Sequence, residues 1–162
     1  QHEHGYAERA RAFAAKVRDV LEFLVERGLT VQPGPLPWTV TYQEPCHLAH
    51  AQRITQQPRV LLRAIPQLRL VEMAESALCC GSAGIYNLLQ PEMASALLER
   101  KLDNVLATGA EVIVSANPGC MLQLEAGLRA RGRRVPVLHL VEVLDRAYSH
   151  GVPSQPVSLV AD

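Results

Sequence analysis

The chain has 162 residues, with sixteen basic and sixteen acidic side chains, so no net field draws it to nucleic acid or anionic lipid. Hydrophobic residues make up 48%, yet no apolar run approaches the ~18 needed to span a bilayer. Aromatics are only 4%, which leaves an aliphatic core in one well-filled domain. Gln1 has no signal peptide before it, which reads as a fragment of a longer polypeptide.

Residues 5–27 read as one amphipathic helix, because Tyr6, Ala10, Phe13, Val17, Val20, Leu21 and Leu24 recur at three- and four-residue steps. Gly28 is its expected stop, and Thr30 to Pro37, with three prolines and a glycine, is a connector. Residues 1–37 are thus set apart as N-terminal helix and Pro-rich connector. From Trp38 the rhythm becomes short strands alternating with helices. The first strand is predicted over Trp38–Tyr42. A helix follows Cys46 and is interrupted or restarts near Pro58. The second strand is predicted over Leu68–Met73, and a long helix opens at Pro91 and ends at Gly109. Glu111–Ser115 is the third strand, followed by a helix after Cys120 to about Ala130. Val135–Leu140 is the fourth strand, and Val141–Tyr148 the last helix. Residues 149–162, with two prolines, read as a flexible tail. Alternation of this kind predicts an α/β fold over 38–148, a parallel four-stranded sheet flanked by helices.

All four cysteines fall into the pattern Cys46-x32-Cys79-Cys80-Gly81-x38-Cys120, each after a predicted strand. Ligands of open parallel sheets bind beyond the carboxyl ends of the strands, so four thiols are expected at one edge. A reducing compartment suits thiols kept for metal or catalysis, and a disulfide between adjacent Cys79 and Cys80 would be strained. Gly81, Ser82 and Gly84 form a small-residue loop after the pair, and Asn117 and Gly119 precede Cys120. Such loops let backbone N–H groups approach sulfur, and helix N-termini add partial positive charge. Structural zinc favours cysteines two to four residues apart, whereas adjacent ones diverge and suit a cluster several ångströms across. Iron–sulfur is the preferred cofactor on this reasoning, with zinc as the alternative, and a metal-free thiol switch at Cys79-Cys80 is a third reading. His47, His50 and His139 lie near the same edge, where such residues more often cap helices than ligate; His2 and His4 receive no role. Tyr86 and Asn117 are candidates to support the ligands. Arg129, Arg131, Arg133 and Arg134 read as a solvated helix end. No nucleophile elbow, P-loop or dinucleotide fingerprint is present.

The segments Glu44-Pro45-Cys46-His47-Leu48-Ala49-His50-Ala51-Gln52, Cys79-Cys80-Gly81-Ser82-Ala83-Gly84-Ile85-Tyr86 and Ala116-Asn117-Pro118-Gly119-Cys120 resemble the cysteine-rich "CCG" domain. That domain is shared by heterodisulfide reductase subunits, lactate-utilisation iron–sulfur proteins and the iron–sulfur subunit of glycolate oxidase, and the likeness is nearest to the C-terminal part of the last. It implies a 4Fe–4S cluster on Cys46, Cys79, Cys80 and Cys120. It further implies a cytoplasmic, membrane-peripheral α-hydroxy-acid dehydrogenase, whose flavin-containing subunits oxidise substrate and whose electrons pass on toward the quinone pool. No substrate chemistry is expected in this fragment alone. The ferredoxin-type motifs and first CCG repeat usual upstream are absent here. Where the wider family ends on Cys-x-x-Cys, this chain reads Cys120-Met121-Leu122-Gln123. At most four thiolates are therefore available, which does not suit the five-thiolate, disulfide-breaking clusters of heterodisulfide reductases.

Overall fold

A computed structural model describes residues 5–149. The elements in chain order are α1 (Ala7–Ala14), α2 (Val20–Arg27), β1 (Thr39–Tyr42), a π-helical segment (His47–Gln52), α3 (Gln56–Arg63), β2 (Arg69–Leu70), α4 (Tyr86–Leu89), α5 (Pro91–Ala107), β3 (Val112–Ser115), α6 (Pro118–Ala130), β4 (Val137–His139) and α7 (Leu140–Ser149). The four strands form one sheet in the order β2-β1-β3-β4. Every pairing is parallel, with Tyr42 opposite Val114 and Ser115 opposite His139. The α/β architecture expected from the alternation is the one observed.

Strand alternation sorts the core into two layers. Val40, Tyr42, Val112, Val114 and Leu138 face α2, α3 and α7, where Leu21, Leu61, Leu62, Val143 and Leu144 close over them. Ile113 and Val137 face α5 and α6, packing on Leu102, Val105, Leu124 and Leu128. Both faces are covered, as a parallel sheet requires.

Several boundaries differ from the sequence expectation. The single helix predicted over residues 5–27 is two. Asp19 is extended and accepts a hydrogen bond from Leu21 N–H at 2.9 Å, so it caps a new helix and ends the old one's register. Of its predicted apolar face only Leu21 is buried, while Tyr6, Phe13, Val17 and Val20 are exposed. The connector that follows is tied to α7: Gly34 N–H donates to Ala147 O, and Tyr148 Oη to Val31 O, each at 2.8 Å.

The second strand shrinks to Arg69–Leu70 because the chain leaves the sheet once Glu72 turns to Arg59. The helix after Cys46 is π-helical and breaks at Arg53, whose φ is +59°, so that Pro58 sits in the first turn of α3 rather than at the break. Tyr86–Leu89, to which the sequence pattern assigns no element, is one turn of helix. Helix α6 begins at Pro118, which puts Cys120 inside its first turn instead of ahead of it. His2, His4 and the tail beyond Ser149 lie outside the described residues, and Ser149 itself ends α7.

Candidate metal centre

Parallel strands place all their carboxyl ends at one edge, and three cysteine-bearing segments rise from it. Cys46 lies four residues beyond β1, just ahead of the π-helical segment. Cys79 and Cys80 end the excursion after β2, and Cys120 stands on α6 after β3. All four are free thiols, with Cys80 and Cys120 buried and Cys46 and Cys79 half-buried. The Cys46 and Cys79 thiols are within hydrogen-bonding reach of each other, as are those of Cys80 and Cys120. The sulfurs thus meet as two neighbouring pairs. Among the described residues, no three or more His, Cys, Asp or Glu side chains close around a point tightly enough to hold one metal ion.

Backbone amides address the sulfurs. Gly81 N–H donates to Cys79 Sγ at 3.3 Å, and the Ser82 amide donates to Cys80. Gly81 has a φ of +90°, and a Cβ there would lie 2.3 Å from the backbone oxygen of Ala94, so the loop is pressed against α5. The Gly119 site is bounded by Asn117 Oδ1 and Ser82 Oγ, which brings the second and third segments together. Asn117 serves as the N-cap of α6, accepting from Cys120 N–H at 3.0 Å. Gly84 turns in open space with φ +66° and reaches nothing. Of the five predicted loop residues, Gly81 and Ser82 therefore donate to sulfur, Asn117 and Gly119 shape the approach, and Gly84 only makes the turn.

These contacts set the thiols apart electrostatically. Cys80 is drawn down to about 6, first by the hydrogen bond from Cys120, then by the Ser82 amide and the charge of Lys101, against burial. Cys120, the donor in that pair, is pushed well up, and burial adds to the rise. Burial also raises Cys79, with the Gly81 amide partly offsetting it.

A buried polar web ties the three segments to one another. Glu44 accepts from Arg59 Nη1 at 3.0 Å and from Ser76 Oγ at 2.8 Å, and its own N–H donates to Ser76 O at 3.2 Å. Arg59 also holds Glu72 through Nε at 2.8 Å. Ser115 Oγ donates to Gln43 Oε1 at 2.7 Å, joining the ends of β3 and β1. Lys101 on α5, fully buried, donates to Glu75 O at 3.1 Å and Ser76 O at 2.5 Å. Sequence reasoning missed Gln43, Arg59, Ser76, Lys101 and Ser115. Lys101 had a readable signal, since it shares the helical stripe of Ala94, Leu98, Leu102 and Val105.

The remaining candidates go elsewhere. His47 and His50 are exposed. His139 Nδ1 accepts from Val141 N–H at 3.2 Å, and its own N–H donates to Glu142 at 2.7 Å, so it starts α7. Tyr86 is exposed on α4, and its neighbour Asn87 reaches Gln123 at 3.4 Å. Arg131 is ion-paired with Glu99 and Asp103 on α5.

The model of the cysteine-rich domain called CCG matches residues 40–125, which include every cysteine. The chain belongs to the CCG cysteine-rich domain family. This CCG domain is 40% identical over 90% of its length to the probable glycolate oxidase iron–sulfur subunit of Bacillus subtilis, covering 34% of that protein. It is 35% identical over 82% to a subunit of the fumarate reductase (CoM/CoB) of Methanothermobacter marburgensis, covering 27%. It is 30% identical over 85% to lactate utilization protein A of an Exiguobacterium strain, covering 56%. The chain thus spans roughly a quarter to just over a half of the relatives it matches.

The thiol set fits an iron–sulfur group on its own terms. Four free thiols gather at one edge, two of them receive backbone N–H donors, and a buried lysine holds the carbonyls of the segment that leads to Cys79 and Cys80. Reduced clusters on four thiolates are anionic, and amide donors and a cation are what such a charge needs.

Proposed function

We propose that this CCG domain belongs to the iron–sulfur subunit of an oxidoreductase complex, and that Cys46, Cys79, Cys80 and Cys120 would hold a 4Fe–4S cluster. The observation that carries the reading is the convergence of all four sulfurs as two adjacent pairs beyond the strand ends. Adjacent Cys79 and Cys80 turn to different partners, Cys46 and Cys120, and that divergence supports a group several ångströms across rather than one ion held by both. When bound, such a group takes up and gives back one electron at a time.

The chain's own residues do the rest. Gly81 and Ser82 aim their amides at Cys79 and Cys80, which favours the charged thiolates. Gly81, flush against α5, and the Glu44–Arg59–Ser76 web hold the segments in register, so little reorganisation accompanies a change of charge. Burial of Cys80 and Cys120 excludes water from that side.

In the parent complex the electrons would come from flavin-containing dehydrogenase subunits oxidising an α-hydroxy acid such as glycolate, and would leave toward the quinone pool. The similarity to proteins named for glycolate oxidase and lactate utilisation supports this placement. No helix among the described residues is long and apolar enough to cross a membrane, and we place the complex in the cytoplasm, peripheral to the membrane's inner face. Anaerobic reconstitution of the chain with iron and sulfide tests the reading. A brown protein whose EPR signal appears on reduction is expected. A colourless protein that binds about one zinc and no iron would overturn it.

A further inference from the structure

Helix α1 has eight residues, buries no side chain, and starts without a side-chain cap. An isolated helix shorter than ~12–15 residues is marginal in water, so its helicity needs a surface to pack on. Tyr6, Ala10, Phe13 and Val17, at three- and four-residue steps, form the apolar stripe such a surface would cover. Lys16 and Val17 N–H donate to Phe13 O and Ala14 O, so the turn carries on to Val17. Arg9 and Lys16, seven residues apart, flank that stripe. Residues 6–18 carry Arg9, Arg11, Lys16 and Arg18 against Glu8 alone.

A surface of matching character lies between α2 and α3. A cavity of about 240 Å³ opens there, lined by Leu24, Val25, Leu29, Val60, Leu61 and Ala64. It is smaller than the roughly 300–1,000 Å³ of cofactor and ligand pockets, and it suits an inserted aromatic side chain. The α2 rim is acidic, with Asp19, Glu22 and Glu26 against Arg27. Stripe and basic flank on one element thus complement cavity and acidic rim on the other. Within one chain they stay apart, because the joint is locked. Arg18 Nη1 donates to Ala15 O at 2.9 Å and Val17 O at 3.0 Å, and its Nε stands 3.9 Å from Glu26.

We propose that two copies of this chain exchange α1, each seating Phe13 in the α2–α3 cavity of the other, with Arg9 and Lys16 toward the acidic rim. A reciprocal contact of this kind closes as a two-fold dimer. No lining residue of the cavity belongs to a cysteine-bearing segment, so the thiol edge is left free in the pair.

Sedimentation equilibrium of the 162-residue chain at about 100 μM should give twice its 17.8 kDa. Phe13 is 73% exposed and Val60 50%, so Phe13→Glu and Val60→Glu spare the core. Each should keep a cooperative melt and raise the dimer Kd at least tenfold, on the order of one apolar side chain no longer buried. Mixed in equal amounts, the two should associate more tightly than either alone, since one brings an intact cavity and the other an intact α1. Glu22→Lys leaves the cavity wall untouched and should weaken the dimer about threefold, an effect that fades at high salt. A monomer at that concentration overturns the proposal. So does a Val60→Glu protein that dimerises like the wild type, because α1 would then pair elsewhere. If Val60→Glu loses its melt, the Glu22→Lys result decides, and unchanged association there overturns the proposal.

Discussion

Gly81 carries the tightest steric constraint at the thiol edge. Its φ of +90° disfavours any side chain, and a methyl group would sit 2.3 Å from a backbone oxygen of α5. Gly81→Ala should cost roughly 2–4 kcal/mol by urea denaturation of the metal-free protein, and iron uptake should fall with it. An unchanged midpoint would show that the loop does not need this approach. Tyr42 presents the opposite situation. Its hydroxyl is buried without a partner, and burial raises its pKa beyond the ordinary tyrosine range. Removing an unsatisfied hydroxyl recovers its desolvation cost, so Tyr42→Phe should stabilise the fold by about 1 kcal/mol. A destabilised Tyr42→Phe protein would mean the hydroxyl has a partner. The Cys80–Cys120 pair sets the pH response of the metal-free protein. With Cys80 at about 6 against an ordinary 9.0, its thiolate forms as pH rises through 6. The stability this ionisation lends is present above the ordinary value and fades as pH falls through about 6, while Cys120, shifted upward, holds its proton. Thiolate absorbance should therefore show a first step near pH 6, and a single step near 9 would contradict the pairing.

At the scale of elements, the sheet edge is organised by polar contacts that span long sequence separations. Arg59 on α3 is nearly buried and joins Glu44 after β1 to Glu72 after β2. Burial alone would lower its pKa, but the hydrogen bonds it donates to Glu72 and Glu44 hold it above the ordinary arginine value. Arg59→Met strands the buried Glu44 carboxylate, and a broken buried pair costs roughly 3–5 kcal/mol, read as a lower urea midpoint. A loss under about 1 kcal/mol would mean the pair is a surface contact in effect. This web also marks where sequence reading ran out. Strand β3, four buried residues in a row, is legible because parallel strands read as continuous apolar runs. The Cys-Cys-Gly spacing is legible because all three cysteine segments follow strands of one parallel sheet. The break between Ala14 and Asp19 is not, because the apolar repeat runs straight through it and the second helix is started only by the Asp19 capping hydrogen bond. Nor is the short β2, beyond which Glu72 turns to Arg59, thirteen residues earlier in the chain. Cys120 falls inside α6 because Asn117 outcompetes it as the cap.

Over the whole molecule, a sheet buried on both faces serves as a rigid base, and chemistry is confined to its carboxyl edge. Two of the thiols are buried on the molecule's side of that edge and two are half-buried, which under the proposed reading would give electrons a short route to a partner. The proposed relay accords with the chain's similarity to an iron–sulfur subunit. The central claim is that sulfurs from three separate segments act as one site. It is tested most directly by the iron content of four single variants, Cys46→Ser, Cys79→Ser, Cys80→Ser and Cys120→Ser, reconstituted anaerobically beside the unaltered chain. The unaltered chain should hold about four iron and about four sulfide, as a cubane on four thiolates requires, and each variant should lose most of both while remaining folded. Full iron in Cys46→Ser or Cys120→Ser would contradict the account.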